Sequence, residues 1–161
     1  MNKEISSFEY LIVDEDELDI ADKEVLLAAK LATERAYAPY SNFKVGAAAL
    51  LTNGQLVIGS NQENASFPAG ICAERVLIAS IVTNNPEENI KTIAISYNGN
   101  NVKSDHPISP CGICRQVLAE YEVNAGTNIK LILSGMTGKI FIIHSLKDLL
   151  PFSFTKAELI N

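Results

Sequence analysis

The three cysteines of this 161-residue chain are arranged in a way that suits a metal ion. Cys111 and Cys114 form a Cys-x-x-Cys pair, and Cys72 precedes them in a separate segment. An odd number of cysteines, in a chain whose start lacks a secretion pattern, argues against a disulfide framework. Because zinc accepts soft thiolate ligands in tetrahedral geometry, the pattern predicts one Zn²⁺ held by Cys72, Cys111 and Cys114.

The cysteines also fall where two helices are predicted to begin. A helix N-terminus carries partial positive charge and unpaired N–H groups, which favour a thiolate over a thiol. Cys111 and Cys114 are one helical turn apart, so their sulfurs face the same side. Two helix starts that face each other would therefore present three thiolates to a single ion.

The number of ligands separates a catalytic zinc site from a structural one. A closed structural site has four protein ligands, and this chain has no fourth cysteine. His106 lies in a polar segment close to Cys111, so a closed site of three cysteines and one histidine is the competing interpretation. His144, between a predicted strand and a helical turn, is a weaker candidate. A fourth position left open to water is the arrangement of catalytic zinc sites.

Glu74 follows Cys72 by two residues. A lone glutamate in a first helical turn usually just complements the helix dipole. Beside an open zinc position, however, its carboxylate would take a proton from water and pass it to a leaving group.

Arg75 and Arg115 directly follow the ligand motifs. We expect their guanidinium groups to hydrogen bond to sulfur and to offset the net negative charge of three thiolates and Zn²⁺, whereas the alternative for each is a surface ion pair.

The elements that must position these residues follow from apolar periodicity and turn signals. Helices are predicted from Asp19 or Asp22 to Tyr37, from Cys72 to Val82, and from just after Pro110 to Tyr121. Strands are predicted at 8–13, 45–51, 56–58, 90–97, 129–133 and 140–143, with a helical turn at 146–150 and a hairpin turn at Asn53-Gly54. This order predicts an α/β fold, a three-layer α/β/α sandwich with a mixed β-sheet.

Composition restricts the class of protein. Apolar residues make up 47% and charged residues 20%, which is typical of an ordinary globular domain. No run of about 18 apolar residues occurs, and no secretion signal is recognisable at the start, so we predict a cytoplasmic protein without membrane partners. Residues 1–24 contain nine acidic and two basic residues, and the remaining chain has a net charge of +1. We therefore predict an acidic N-terminal arm over 1–20, a single zinc-dependent domain over 21–161, and no nucleic-acid partner.

Five segments of the chain resemble the homotetrameric cytidine deaminase family. Cys-Ala-Glu together with Pro-Cys-x-x-Cys is the signature of zinc-dependent deaminases. The matching segments, in the family's order, are YAPYSNFKVGA (37–47), NQENA (61–65), GICAER (70–75), SPCGICRQ (109–116) and LLPFSF (149–154). Together they lie between about residue 36 and residue 159.

The resemblance implies a cytidine-deaminase-like fold, a homotetramer with one Zn²⁺ per subunit, and a role in pyrimidine salvage. The implied reaction is the hydrolytic deamination of cytidine and 2′-deoxycytidine to uridine and 2′-deoxyuridine, with release of ammonia. Glu74 is the implied catalytic residue. The implied substrate contacts are the Phe43 ring on the pyrimidine, Asn61 and Glu63 on the ribose 3′-hydroxyl, the Ala73 N–H on the ring carbonyl, the Ser109 carbonyl on the amine, and Phe154 in a neighbouring subunit's site.

Two features depart from the family. Position 67 is Phe where the family commonly has Tyr, so a hydroxyl that would bind the 5′ end of the ribose from another subunit is lost. The acidic arm is also longer than in the shorter members of the family.

The sequence leaves two alternative functions open. One is a zinc deaminase of another amine-bearing nucleoside or base, and the other, from a different class, is a structural zinc-binding module. A deaminase that edits tRNA or DNA is disfavoured because no basic surface is predicted.

Overall fold

The computed structural model describes residues 1–159, which form a six-stranded sheet and three α-helices. The elements in chain order are β1 (Tyr10–Val13), α1 (Ile20–Ala32), β2 (Phe43–Leu51), β3 (Leu56–Ser60), α2 (Ala73–Asn84), β4 (Ile90–Gly99), α3 (Gly112–Ala125), β5 (Lys130–Leu133) and β6 (Ile140–Ile143). In the sheet the strands lie in the order β1-β6-β5-β4-β2-β3. β4 and β5 are parallel and the other neighbours are antiparallel, so the sheet is mixed, as predicted.

Helices cover both faces of the sheet. Successive residues of a strand point to opposite faces, so Ala47 and Ala49 belong to one apolar cluster and Ala48 to the other. The first cluster includes Leu77 and Ile81 of α2 and Leu118 of α3, and the second includes Leu26 and Ala29 of α1. This arrangement confirms the predicted three-layer α/β/α sandwich.

The close packing of α2 on β3 depends on Gly59. A Cβ at this position would lie 2.5 Å from the Ala73 carbonyl oxygen and 2.6 Å from the Leu77 backbone nitrogen. Only a glycine therefore lets the first turn of α2 approach the strand this closely. The sheet thereby determines where the N-terminus of α2 lies.

Several element boundaries differ from the prediction, for local reasons. α1 ends at Ala32 and continues as a 3₁₀ turn over Thr33–Arg35, where the Thr33 hydroxyl donates to the Lys30 carbonyl. α3 extends to Ala125 and ends at Gly126, which has a φ of 69°. The helical turn predicted after β6 is a 3₁₀ turn over Leu146–Leu149.

The N-terminal segment lies along the edge of the sheet, where β1 pairs antiparallel with β6. Its acidic residues face lysines of the domain: Asp14 lies 2.6 Å from Lys139, Glu15 lies 2.7 Å from Lys30, and Asp22 lies 2.7 Å from Lys130. Part of the negative charge of this segment is therefore paired within the molecule. The boundary between arm and domain at residue 20 stays a prediction. No helix in the described range is both long and apolar enough to span a membrane.

Candidate metal and catalytic site

The three cysteines meet where α2 and α3 begin. Cys72 is the N-cap of α2, Cys111 is the N-cap of α3, and Cys114 lies in the first turn of α3. The Sγ atoms of Cys72 and Cys111 are 3.8 Å apart, and those of Cys111 and Cys114 are 3.5 Å apart. All three sulfurs lie within 4.8 Å of one another. The structure thus brings together the predicted ligand set.

This spacing fits zinc. With Zn–S bonds of about 2.3 Å and tetrahedral angles, two ligand sulfurs are about 3.8 Å apart. The measured Sγ–Sγ distances of 3.5 and 3.8 Å are close to that value. The donors are also of the soft type that zinc accepts, so Cys72, Cys111 and Cys114 fit the ion in both chemistry and spacing.

The electrostatics of the cluster favour a cation. Burial raises the pKa of the Cys114 thiol, and the charges of Glu74 and Cys72 raise it further. Burial likewise raises the pKa of the Cys72 thiol. At Cys111 burial acts in the same direction, but hydrogen bonds with Cys114 and Cys72 outweigh it and leave the pKa lowered. Three thiolates this close repel one another, and a bound divalent ion removes that repulsion.

Glu74 is buried beside the cluster. Glu74 is only 5% exposed, whereas a glutamate that only complements a helix dipole would be solvated. Burial raises the pKa of its carboxyl, and a hydrogen bond with Cys114 partly opposes that shift. A carboxyl with a raised pKa next to a metal site is suited to accept and return protons near neutral pH.

His106 does not complete the ligand set. Within residues 1–159, the group of metal-binding side chains at this position consists of the three cysteines. The His106 ring lies 3.1 Å from the Tyr97 hydroxyl, and its side chain is 64% exposed. The arrangement therefore supports the open three-cysteine site over the closed site with a histidine.

A cleft of 480 Å³ opens over the cysteines. Its walls include Cys72, Cys111 and Glu74. The predicted substrate-binding residues that line it are Phe43, Asn61, Glu63, Ala73 and Ser109. Ala73 opens α2, so its N–H has no partner within the helix and is available to a ligand.

Asn61 and Glu63 are held firmly by β2 and the segment before it. The Asn61 Oδ1 accepts from the Val45 N–H at 2.7 Å, and its Nδ2 donates to the Phe43 carbonyl at 2.9 Å. One amide N–H of Asn61 remains for a ligand. The Glu63 carboxylate accepts from the Ser41 hydroxyl at 2.5 Å and the Tyr40 N–H at 2.9 Å, and these bonds lower its pKa. Glu63 is therefore an anion at neutral pH.

Comparison with known proteins agrees with this geometry. Residues 20–127 match the family model described as the cytidine and deoxycytidylate deaminase zinc-binding region. The chain belongs to this deaminase family.

The relatives and solved structures that match most of this chain are cytidine deaminases. The cytidine deaminase of Halalkalibacterium halodurans is 33% identical over 139 residues, which cover 86% of this chain and 98% of that protein. The cytidine deaminase of Sporosarcina psychrophila is 37% identical over 139 residues, covering 86% and 95%. The crystal structure of cytidine deaminase from Burkholderia pseudomallei has a TM-score of 0.69 at 38% identity, covering 81% of this chain and 97% of that one. That from Mycobacterium tuberculosis has a TM-score of 0.64 at 30% identity, covering 84% and 98%. The predicted cytidine-deaminase-like fold is confirmed.

Three residues singled out from the deaminase motifs lie away from the cleft or bind other groups. Phe154 is 57% exposed and lines a separate groove of 430 Å³ beside α3, where its carbonyl accepts from the Gln116 amide at 2.8 Å. Arg115 donates to the Pro110 carbonyl at 2.9 Å and the Leu149 carbonyl at 3.2 Å, rather than to a sulfur. Arg75 is half-buried, and its guanidinium makes no hydrogen bond to any residue from 1 to 159. The contacts proposed from these side chains to thiolate or to a partner subunit stay predictions.

Sequence reasoning did not single out two residues near the deaminase cleft. Ser41 holds the Glu63 carboxylate, and Tyr97 stacks behind Phe43 with ring centroids 5.2 Å apart. Ser41 lies inside the matched segment 37–47 and close to Phe43, and this position in the sequence could have identified it as a residue of the cleft. Tyr97 ends a predicted buried strand and carries no local signal of this role.

Proposed function

We propose that this protein hydrolyses the amino group of cytidine and 2′-deoxycytidine, which yields uridine or 2′-deoxyuridine and ammonia. The observation that carries the proposal is a single cleft lined by buried Glu74, by Cys72 and Cys111 of the cysteine cluster, and by Asn61 and Glu63. A reactive group and a sugar-binding pair in one cleft fit a nucleoside better than a free base.

Cys72, Cys111 and Cys114 hold the metal in this proposal. When bound, zinc supplies a Lewis acid that makes water a nucleophile at neutral pH. The chain's own contribution is to place Glu74 next to that position. The two helix N-termini add partial positive charge at the cysteines, which favours the thiolate forms.

Glu74 moves the protons of the reaction. As a carboxylate it accepts a proton from the attacking water, and as a carboxylic acid it donates to N3 of the pyrimidine ring. It then takes up the remaining proton of the hydroxyl group added to C4 and donates it to the amine, so that the C4–N bond breaks and ammonia leaves as a neutral molecule. Its raised pKa favours the protonated form, which supports its role as the acid after it has acted as the base.

The substrate is oriented by groups along the cleft. The Phe43 ring lies against the pyrimidine, the Ala73 N–H donates to the ring carbonyl, and the Ser109 carbonyl accepts from the amine. At the sugar end, the remaining N–H of Asn61 donates to the 3′-hydroxyl, and the Glu63 carboxylate accepts from it. A hydroxyl recognised by both a donor and an acceptor is well discriminated from an analogue that lacks it.

The charge of the cleft favours nucleosides over nucleotides. The described residues that line it include the acids Glu63 and Glu74 but no lysine, arginine or histidine. A 5′-phosphate or a nucleic-acid backbone would meet no positive side chain there. This supports cytidine and deoxycytidine over deoxycytidylate among the substrates that the family description covers.

The proposal includes a homotetramer in the cytoplasm that serves pyrimidine salvage. Phe154 is exposed and distant from its own cleft, which supports a role for this side chain in the site of a neighbouring subunit. Phe67 lines the mouth of the cleft, packed edge-on against Tyr40 with ring centroids 5.9 Å apart. It offers no hydroxyl to the ribose, so we expect the 5′ end of the sugar to be bound without a hydrogen bond from position 67.

The test compares the purified, zinc-loaded protein with Glu74→Gln, using cytidine, deoxycytidine, cytosine and deoxycytidylate as separate substrates. Loss of pyrimidine absorbance and release of ammonia are measured together with zinc content. We expect turnover of the two nucleosides by the wild type, a loss of at least about a thousandfold in Glu74→Gln with zinc retained, and no change in the exposed control Glu24→Gln. Substantial turnover by Glu74→Gln, or a preference for cytosine, would contradict the proposal.

A further inference from the structure

Tyr97 lies directly behind Phe43 and outside the cleft. The β2–β4 register places Tyr97 opposite Val45, so Phe43 is its diagonal neighbour on the same face of the sheet. The two rings stack with centroids 5.2 Å apart and planes inclined by 21°. Tyr97 is 1% exposed, whereas Phe43 is half-buried and forms part of the cleft wall. The inner face of Phe43 is therefore covered by Tyr97, and its other side is open to a ligand.

Hydrogen bonds lock the Tyr97 ring in this orientation. Its hydroxyl donates to the Lys103 carbonyl at 2.9 Å and lies 3.1 Å from Nδ1 of His106. The His106 ring also packs edge-on against the Tyr97 ring, with centroids 5.7 Å apart. The tyrosine is thus fixed at its hydroxyl end by the loop that follows β4, and its ring face is left to support Phe43.

From this arrangement we infer that Tyr97 is a positioning residue for substrate binding, which sets the plane of the Phe43 ring against which the pyrimidine stacks. The inference rests on the proposed function of the cleft. Tyr97 does not touch the substrate; it acts through Phe43. A smaller, non-aromatic side chain at position 97 leaves space behind Phe43, and its ring then tilts and loses part of its contact with the base.

The prediction is a change in KM with little change in kcat. Tyr97→Leu removes the stacked ring, and an aromatic pair of this kind corresponds to about a three- to tenfold effect on binding. We expect KM for cytidine and for deoxycytidine to rise by about that factor alike, because Phe43 faces the base and not the sugar. Glu74 and the cysteines are untouched, so kcat and zinc content stay within about twofold of the wild type.

Tyr97→Phe separates the ring from the hydroxyl. It keeps the stack and loses the bonds to Lys103 and His106, so we expect a KM close to that of the wild type. A double-mutant cycle with Phe43→Leu then tests the route of the effect. If Tyr97 acts through Phe43, adding Tyr97→Leu to Phe43→Leu raises KM no further.

Controls exclude general destabilisation. Leu26→Ala opens space in the apolar cluster on the opposite face of the sheet, so it lowers the melting temperature and leaves KM unchanged. Should Tyr97→Leu fail to fold, Tyr97→Met, whose unbranched side chain adapts better to the space, is measured in the same way.

Three results would overturn the inference: an unchanged KM in Tyr97→Leu, an equal rise in KM in Tyr97→Phe, or additive effects in the cycle. Failure of the proposed function is a separate outcome, because the wild type itself would then show no turnover of either nucleoside.

Discussion

Gly59→Ala tests how strictly the sheet positions the reactive end of the cleft. The added methyl group would lie 2.5 Å from the Ala73 carbonyl oxygen and 2.6 Å from the Leu77 nitrogen, and both are backbone atoms that cannot rotate away. Reaching a separation between 3.0 and 3.4 Å requires a movement of about 0.5 to 0.9 Å at the first turn of α2. That turn carries Cys72 at its N-cap and Glu74 within it.

A displacement of this size is large for catalysis. Misplacing a reacting group by about 1 Å can cost about a hundredfold in rate. We therefore expect Gly59→Ala to lower kcat/KM for cytidine by about 10- to 100-fold, and overpacking to lower the free energy of unfolding by about 1–3 kcal/mol. The assay is loss of cytidine absorbance at a temperature well below the melting point, with zinc content measured on the same samples.

Gly112→Ala is the matched control. Gly112 lies between two of the cysteines in sequence, yet a Cβ built there meets no heavy atom within 4 Å, and its φ is not positive. The same chemical change in open space should leave activity within about twofold of the wild type and slightly stabilise the start of α3. Full activity in Gly59→Ala, or equal losses in both variants, would refute the argument that the contact at Gly59 positions the site.

Three further predictions concern side chains of the cleft and of the ligand motifs. Ser41→Ala removes the hydroxyl that contributes most to the lowered pKa of Glu63, so that pKa should rise toward its ordinary value. Because Glu63 binds the ribose as a carboxylate, the pH below which kcat/KM falls should then move upward; an unchanged acidic limb of the pH–rate profile would contradict this role. Arg115→Ala should lower zinc retention in the presence of a chelator more than Arg75→Ala does, because Arg115 ties the Pro110 carbonyl next to Cys111 to the Leu149 carbonyl. Arg75→Ala should lower the rate more than zinc content, and equal loss of both would show that Arg75 helps to retain the metal.

The parts of the fold that depend on local patterns were predictable from sequence. Periodic apolar residues predict the helices, Asn53-Gly54 predicts the hairpin turn, and Pro110 predicts the start of a helix. Each signal lies within or next to the element that it predicts. The cysteine cluster was predictable for a related reason, since all three cysteines lie at helix starts and their residue type restricts their chemistry. Both inferences need only short stretches of chain.

The remaining features depend on contacts between distant segments. The sequence predicts an acidic arm but not its partners, whereas in the structure Asp14 meets Lys139 and Asp22 meets Lys130, each more than 100 residues away. Arg115 donates to the backbone carbonyls of Pro110 and Leu149, partners that the motif does not reveal, and its contact with a sulfur stays a prediction. The support of Phe43 by Tyr97 arises from strand register, which becomes known only once β2 and β4 are paired.

The placement of β1 next to β6 has a consequence for behaviour at high protein concentration. A bare outer strand offers unpaired N–H and C=O groups to any other chain, which is a route to aggregation. β1 occupies that position on β6 and is flanked by Glu9 and by the run from Asp14 to Glu17. The negative charges beside β1 repel the same edge of a second molecule, so they oppose edge-to-edge association of the sheets into fibrils.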